Sequence, residues 1–163
     1  MKLRFLSIFA AAALLAACES APQQAATNTG AGQVTPPKAA TVSGPAAGSK
    51  EEFLTIGDRV FFDTDKSAVR SDGKATLDKQ IAWLKKYPNY GITVEGHCDE
   101  RGTREYNLAL GERRANAVKQ YMVANGLPAA RVKTISYGKE RPVCTASNEA
   151  CWAQNRRGVT VLQ

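Results

Sequence analysis

The sequence predicts an α+β or α/β sandwich: helices packed on a small mixed four-stranded sheet, behind a leader and a linker. Three observations carry this. Along residues 51–163 the hydrophobic period switches between about two and about 3.6, so strands and helices alternate. Residues 19–50 are built from Ala, Gln, Thr, Gly, Ser and Pro, with Val34 and Val42 as the only large apolar side chains. Residues 1–18 are a basic start followed by an apolar run.

Lys2 and Arg4 make the basic start, and Phe5 to Leu15 form a core too short to span a bilayer as a mature helix. Leu15-Ala16-Ala17-Cys18 resembles a lipoprotein box, in which Cys18 is diacylated and residues 1–17 are removed as a signal peptide. The alternative is an ordinary secretory signal with a chance cysteine. Several acyl chains hold a protein firmly, one only weakly. Residue 19 is Glu rather than Asp, which by the sorting rule for such lipoproteins implies the outer membrane. Residues 18–50 then comprise the lipidated cysteine and a linker, interrupted by Pro22, Pro36, Pro37 and Pro45, that cannot build a core. The 32 residues after the cysteine reach about 105 Å at full stretch and roughly 30 Å relaxed, which suits a tether.

The folded part is expected over 51–163. A first strand is read at about Ile56–Phe62. Asp63, Asp65 and Ser67 imitate the opening of a calcium loop, but Ala68 stands where glycine is needed and Lys74 where the bidentate glutamate belongs, so a turn without metal is expected. A helix follows over Ser71–Lys86, with Ser71 as its N-cap, Leu77, Ile81 and Leu84 as its buried stripe and Tyr87-Pro88 as its end. Alternation resumes at Ile92 and Val94 and stops at Gly96. Gly102 marks a turn and Thr103 caps a helix starting at Arg104, whose buried stripe is read as Leu108, Gly111, Ala115, Val118 and Met122. Asn125-Gly126 closes it, with Pro128 beyond. A third strand is expected at about Val132–Tyr137 and a fourth over Gly-Val-Thr-Val-Leu at the end of the chain. The segment between them is read as a loop carrying Cys144 and Cys151. Behind a secretion signal two cysteines this close suit a disulfide; the rival is a zinc site, which would need His97 and Cys98 as further ligands.

The net charge of +7 is spread in mixed signs with no Lys/Arg run longer than two, so it reads as an ordinary solvated surface. No basic stripe interleaved with aromatics argues for nucleic acid. The chemistry concentrates at residues 97–114. Asp99 sits in the loop before a helix N-terminus. Asn107 and Arg114 lie seven residues apart, at the margin of the buried stripe, whereas Arg113 points to solvent. A carboxylate, backbone N–H donors and an arginine fork in one small space suit a ligand carrying both an ammonium and a carboxylate.

Gly-His-Cys-Asp-Glu-Arg-Gly-Thr-Arg-Glu-Tyr-Asn-Leu-Ala-Leu-Gly-Glu-Arg-Arg-Ala, residues 96–115, resembles the signature of OmpA-like peptidoglycan-binding domains, in the form found in the lipoprotein branch of the Tol–Pal system. The resemblance implies a non-covalent cell-wall anchor that uses no cofactor. Its ligand would be the meso-diaminopimelate of the peptidoglycan stem peptide. Asp99 would take the ammonium and Arg114 the carboxylate, with Thr103 and Asn107 near the ligand and Leu110 flooring the cleft. Asp63 or Asp65 of the Phe-Asp-x-Asp segment, and Arg156 of Asn155-Arg156-Arg157, would lie beside it. The resemblance also implies a partner, the periplasmic propeller protein of the Tol system, docking on overlapping surface. A structural ion pair between Asp99 and Arg114 is the plainer reading and is compatible with binding. An enzymatic reading, Cys98 as nucleophile with His97 as base, is disfavoured because neighbours on a strand point to opposite sides. His97 is expected to support the loop by hydrogen bonding, and Cys98 to be a buried free thiol.

Overall fold

A computed structural model describes residues 44–163. The leader, Cys18 and all of the linker before Gly44 lie outside the described residues. Helix α1 (Lys50–Ile56) and strand β1 (Arg59–Phe61) lead into α2 (Ser71–Lys86), β2 (Ile92–His97) and α3 (Arg104–Ala124). A single 3₁₀ turn (Ala129–Arg131) precedes β3 (Val132–Gly138), α4 (Glu149–Asn155) and β4 (Arg157–Leu162).

The four strands form one mixed sheet in the order β1-β4-β2-β3. Strands β2 and β3 are parallel, joined by α3 as the crossover helix. Strand β4, last in the chain, enters between β1 and β2 and pairs antiparallel with both. Ile92 and Val94 of β2 and Leu162 of β4 meet Leu77, Ile81 and Leu84 of α2 and Ala115, Val118 and Met122 of α3 in a single core. One polar side chain is buried within it: Gln80 donates to the Gly57 carbonyl (2.6 Å) and accepts from the Thr160 hydroxyl (2.8 Å), which ties α2 to β4 without an orphaned group.

Four local expectations change. The segment read as a strand from Ile56 begins instead as helix α1, and β1 keeps only three residues. The cause is a helix-start signal in the sequence: Ser49 Oγ accepts from Glu52 N–H (3.1 Å), and Glu52 reaches back to Gly48 N–H (2.6 Å). Trp83 Nε1 also donates to that carboxylate (2.8 Å), and Phe53 packs on the Trp83 ring, so α1 is pinned to α2. Ser71 is the first helical residue of α2, not its cap; Arg70 takes that position without a side-chain bond. On α3 the expected stripe holds at Gly111, Ala115, Val118 and Met122 but fails at its start: Leu108 is half exposed, whereas Asn107, Leu110 and Arg114 are buried. Finally, α4 occupies part of the segment read as loop. Asn148 caps it by accepting from Cys151 N–H (3.0 Å), and Cys151 within it is disulfide-bonded to Cys144. That bond removes two of the four ligands the zinc alternative required.

The site depends on how closely α3 approaches β2. Gly96 and Gly111 face each other there. A Cβ on Gly96 would overlap the Gly111 carbonyl, and one on Gly111 would overlap the Ser136 hydroxyl. β2 does not stop at Gly96, as its glycine suggested; it runs one residue further, through a register shift, to pair His97 with Gly138. Gly96→Ala is expected to lower the unfolding free energy by about 3 kcal/mol, the upper part of the usual overpacking range, measured by urea denaturation. Gly44→Ala, where nothing lies within 4 Å of the new methyl group, should leave the midpoint unchanged.

Candidate functional site

The end of β2, the loop 98–103 and the first turns of α3 enclose a cleft of about 240 Å³, completed by Thr64 and Asp65 from the β1–α2 connection. Thr103 caps α3 by accepting from Tyr106 N–H (3.2 Å), so the helix begins at the cleft's edge. Gly102, at φ +83°, makes the turn that brings Asp99 back over that helix start.

Arg114 rises from the buried face of α3 and has no exposed surface. Its Nε donates to the Lys66 carbonyl (2.9 Å), Nη1 to the His97 carbonyl (2.8 Å) and Nη2 to the Asp63 carbonyl (3.1 Å). A guanidinium has five N–H donors, so two are left unused by these carbonyls, although the side chain has no surface open to solvent. Burial pulls its pKa below the usual arginine value, opposed by the neighbouring Cys98 and Asp99. Its plane also lies against the Phe62 ring, 5.2 Å from the centroid.

Asp99 is nearly buried and lines the same cleft. It does not pair with Arg114. Its Oδ1 accepts from Arg101 N–H and Arg101 Nε, both at 3.1 Å, and its Oδ2 from Arg101 Nη2 (2.6 Å) and Arg156 Nη1 (3.3 Å). Burial pushes its carboxyl upward, but the Arg101 and Arg156 bonds outweigh that and hold it below the ordinary carboxylate range. Arg156 is itself buried, held by the Phe62 carbonyl (3.1 Å) and by Glu149 (2.6 Å).

The other expected site residues divide into two groups. Asn107, Leu110 and Asp65 line the cleft with Asp99 and Arg114. Asn107 spends its amide on the Arg101 (2.7 Å) and Thr103 (3.0 Å) carbonyls, which fixes the loop. Asp65 adopts φ +58°, in the left-handed region that Asp tolerates, and accepts from the Tyr106 hydroxyl. Thr103, Asp63 and Arg156 lie outside the lining: Thr103 as helix cap, Asp63 with its carbonyl on Arg114, and Arg156 behind Asp99. Sequence reasoning passed over Arg101, Thr64 and Tyr106. Arg101 had a signal, an arginine two residues from an aspartate in a loop closed by glycine; Thr64 and Tyr106 had none beyond adjacency.

His97 and Cys98 form no reactive pair. The Cys98 thiol donates to the Asn107 carbonyl (3.3 Å), and burial pushes its pKa up. His97 is buried beside Tyr137, and neither ring nitrogen has a hydrogen-bond partner, so the hydrogen-bonded support expected from the sequence is absent. Burial, then the charges of Arg157, Arg141 and Arg59, lower its pKa to about 4. Glu95 Oε2 lies 3.5 Å from Nε2, too poorly aligned to bond it, so desolvation dominates.

Comparison with known proteins finds relatives of the chain. The OmpA family model matches residues 61–156. The chain is 62% identical over 116 residues to the peptidoglycan-associated lipoprotein of Rhizobium meliloti strain 1021, covering 71% of this chain and 66% of the relative. It is 39% identical over 158 residues to the peptidoglycan-associated lipoprotein of Pseudomonas putida, covering 94% of this chain and 93% of the relative. Among solved structures it resembles the crystal structure of the peptidoglycan-associated lipoprotein from Burkholderia pseudomallei, at 43% identity and a TM-score of 0.64, over 65% of this chain and 90% of that one.

The buried His97 makes stability depend on pH. Its folded pKa of about 4 lies below the unfolded value of about 6.5, so in that window the unfolded chain binds more protons. The stabilisation is complete above about pH 6.5 and is lost as pH falls toward 4, by about 3 kcal/mol in total. Urea unfolding from pH 7 to 4 should show this slope, and His97→Gln should flatten it.

Proposed function

This chain belongs to the OmpA family, among its peptidoglycan-associated lipoproteins, and from that premise we propose that it is a lipid-anchored staple between the outer membrane and the cell wall. The anchor is Cys18, acylated after removal of residues 1–17. Residues 18–50 are the tether, and the domain that follows faces the periplasm and grips peptidoglycan without covalent chemistry. The diaminopimelate of the stem peptide is the ligand. Its distal centre carries one positive and one negative group a few bonds apart, and the cleft presents a carboxylate and a guanidinium to match. A volume of about 240 Å³ is smaller than a typical pocket for a drug-sized ligand and suits the end of a single amino-acid side chain.

The observation that carries this reading is that Asp99 and Arg114 line one cleft although they do not bond each other. Arg114, locked by three carbonyls, is a preorganised carboxylate receptor. Asp99 is the only acid in the lining with little exposure, and its depressed pKa keeps it charged at neutral pH. Leu110 and the stem of Arg114 offer an apolar floor, and Asn107 sets the loop. Binding rather than turnover is favoured because the one free thiol among the described residues, Cys98, is buried, held protonated and turned to a carbonyl. The propeller protein of the Tol system is the proposed protein partner, docking over the same mouth, so that wall and partner compete.

Purified sacculi incubated with the full chain test the reading. Wild type is expected to co-sediment and to be released by free diaminopimelate. Asp99→Asn should weaken sedimentation about tenfold or more, the scale of a lost hydrogen bond to a charged group. Arg114→Lys should weaken it as well, since a point charge cannot replace the fork. Co-sedimentation unchanged in Asp99→Asn would sink the assignment of that residue; none by the wild type would sink the reading itself.

A further inference from the structure

A carboxylate offers about four lone-pair positions, and in Asp99 all four are taken. Oδ1 is filled by the backbone N–H and Nε of Arg101, and Oδ2 by Nη2 of Arg101 and Nη1 of Arg156. An ammonium arriving from solvent therefore finds no free acceptor. One of the three donor groups must leave first.

The three differ in their freedom to do so. The Arg101 N–H is fixed by the turn at Gly102. The Arg156 side chain is only 7% exposed and is bonded to the Phe62 carbonyl and to Glu149 besides Asp99. The Arg101 side chain is 39% exposed. It also has somewhere to rest: its guanidinium lies 4.2 Å from the Trp152 ring centroid, and that indole is tethered by its own N–H to Glu100 (2.9 Å). Stacking on an aromatic face holds a guanidinium without using its N–H groups. Arg101 can release both carboxylate oxygens by turning about its stem while it stays on Trp152.

We propose that Arg101 is a displaceable plug: in the empty cleft its guanidinium occupies the position of the ligand's ammonium on Asp99, and binding proceeds by exchange of one cation for the other, with Trp152 retaining the displaced side chain. The inference rests on the reading of Asp99 as the ammonium acceptor. Two consequences follow. The plug keeps the buried carboxylate paired when no ligand is present, which avoids the cost of a lone buried charge. It also lowers apparent affinity by the fraction of time the cleft is open, so the arginine acts as a specificity filter. A ligand must bring a cation good enough to replace a bidentate guanidinium, and neutral or amine-acetylated stem peptides do not.

The experiment compares full-length wild type with Arg101→Gln, using free meso-diaminopimelate as probe, by calorimetry and by Trp fluorescence. Arg101→Gln should bind more tightly, by about tenfold if the unplugged form is about a tenth populated. In the wild type the emission of Trp152 should change on binding as the guanidinium on its face gives up Asp99 and turns, a change that Trp152→Phe should abolish while the buried Trp83 stays silent; no change would overturn the role of Trp152. The Nε–H resonance of Arg101 adds a measurement that needs no variant at 101: it should shift on saturation with the probe, and lie at the shifted position in Asp99→Asn without probe. Equal or weaker binding by Arg101→Gln, or an Arg101 resonance unmoved by saturating probe, would overturn the plug while leaving the wall-binding reading intact. No binding by either protein would remove that reading and the plug together.

Discussion

One buried cation holds the domain's working end together. Arg114 has no solvent contact, yet its guanidinium joins two stretches of backbone: both ends of the turn in which Lys66 N–H bonds the Asp63 carbonyl (3.2 Å), and the last residue of β2. Burying such a charge is costly unless every side of it is met. Here three carbonyls and the Phe62 ring meet it on all but the side that lines the cleft. In return, the connection between β1 and α2 acquires a defined path, including the left-handed Asp65. The wall of the cleft is thus backbone fixed by a side chain from the opposite element.

Charge around the cleft is therefore lopsided. Arg101, Arg114 and Arg156 surround a single deep carboxylate, and the further acid of the lining, Asp65, lies at the rim. Such an excess favours ligands that bring negative charge, and confines the one place for positive charge to Asp99. Geometry then separates the roles: Arg114 is held by three carbonyls, Arg156 is a support behind the carboxylate, and Arg101 is the exposed arginine at the mouth.

Much of this was legible in the sequence, for identifiable reasons. Helix α2 was bounded correctly because Leu77, Ile81 and Leu84 give a strong period and Tyr87-Pro88 a strong stop. The start of α3 was legible through Thr103. Its buried stripe is legible at Gly111, Ala115, Val118 and Met122 but not in the first turns, where Asn107 and Leu110 are buried in place of Leu108, and Arg114 is buried rather than marginal, because periodicity weights apolar residues. Helix α1 was missed although its capping pair, Ser49 and Glu52, stood in the sequence, since Thr55-Ile56 ran on into strand-like residues. Helix α4 has seven residues and one apolar anchor, and depends on a cap and a cross-link that local pattern does not encode. At the site, spacing brought Asp99 and Arg114 into one place, but what each one bonds is decided by loop geometry. Arg101 carries a weak linear signal, its place two residues after Asp99 and just before Gly102, but nothing linear shows that it pairs with that carboxylate.

The insertion of β4 between β1 and β2 has a consequence for assembly. β2, α3 and β3 follow one another in the chain and pair through local connections, but β1 has no sheet neighbour except β4. Its hydrogen-bonding edge waits for Arg157–Leu162 to arrive. Because Phe62 N–H bonds the Arg156 carbonyl (2.9 Å) just ahead of that strand, the first and last segments of the domain are zipped in one closing event. Without β4 the sheet has no middle: β1 has no strand partner and β2 keeps only β3, so the last strand closes the whole sheet.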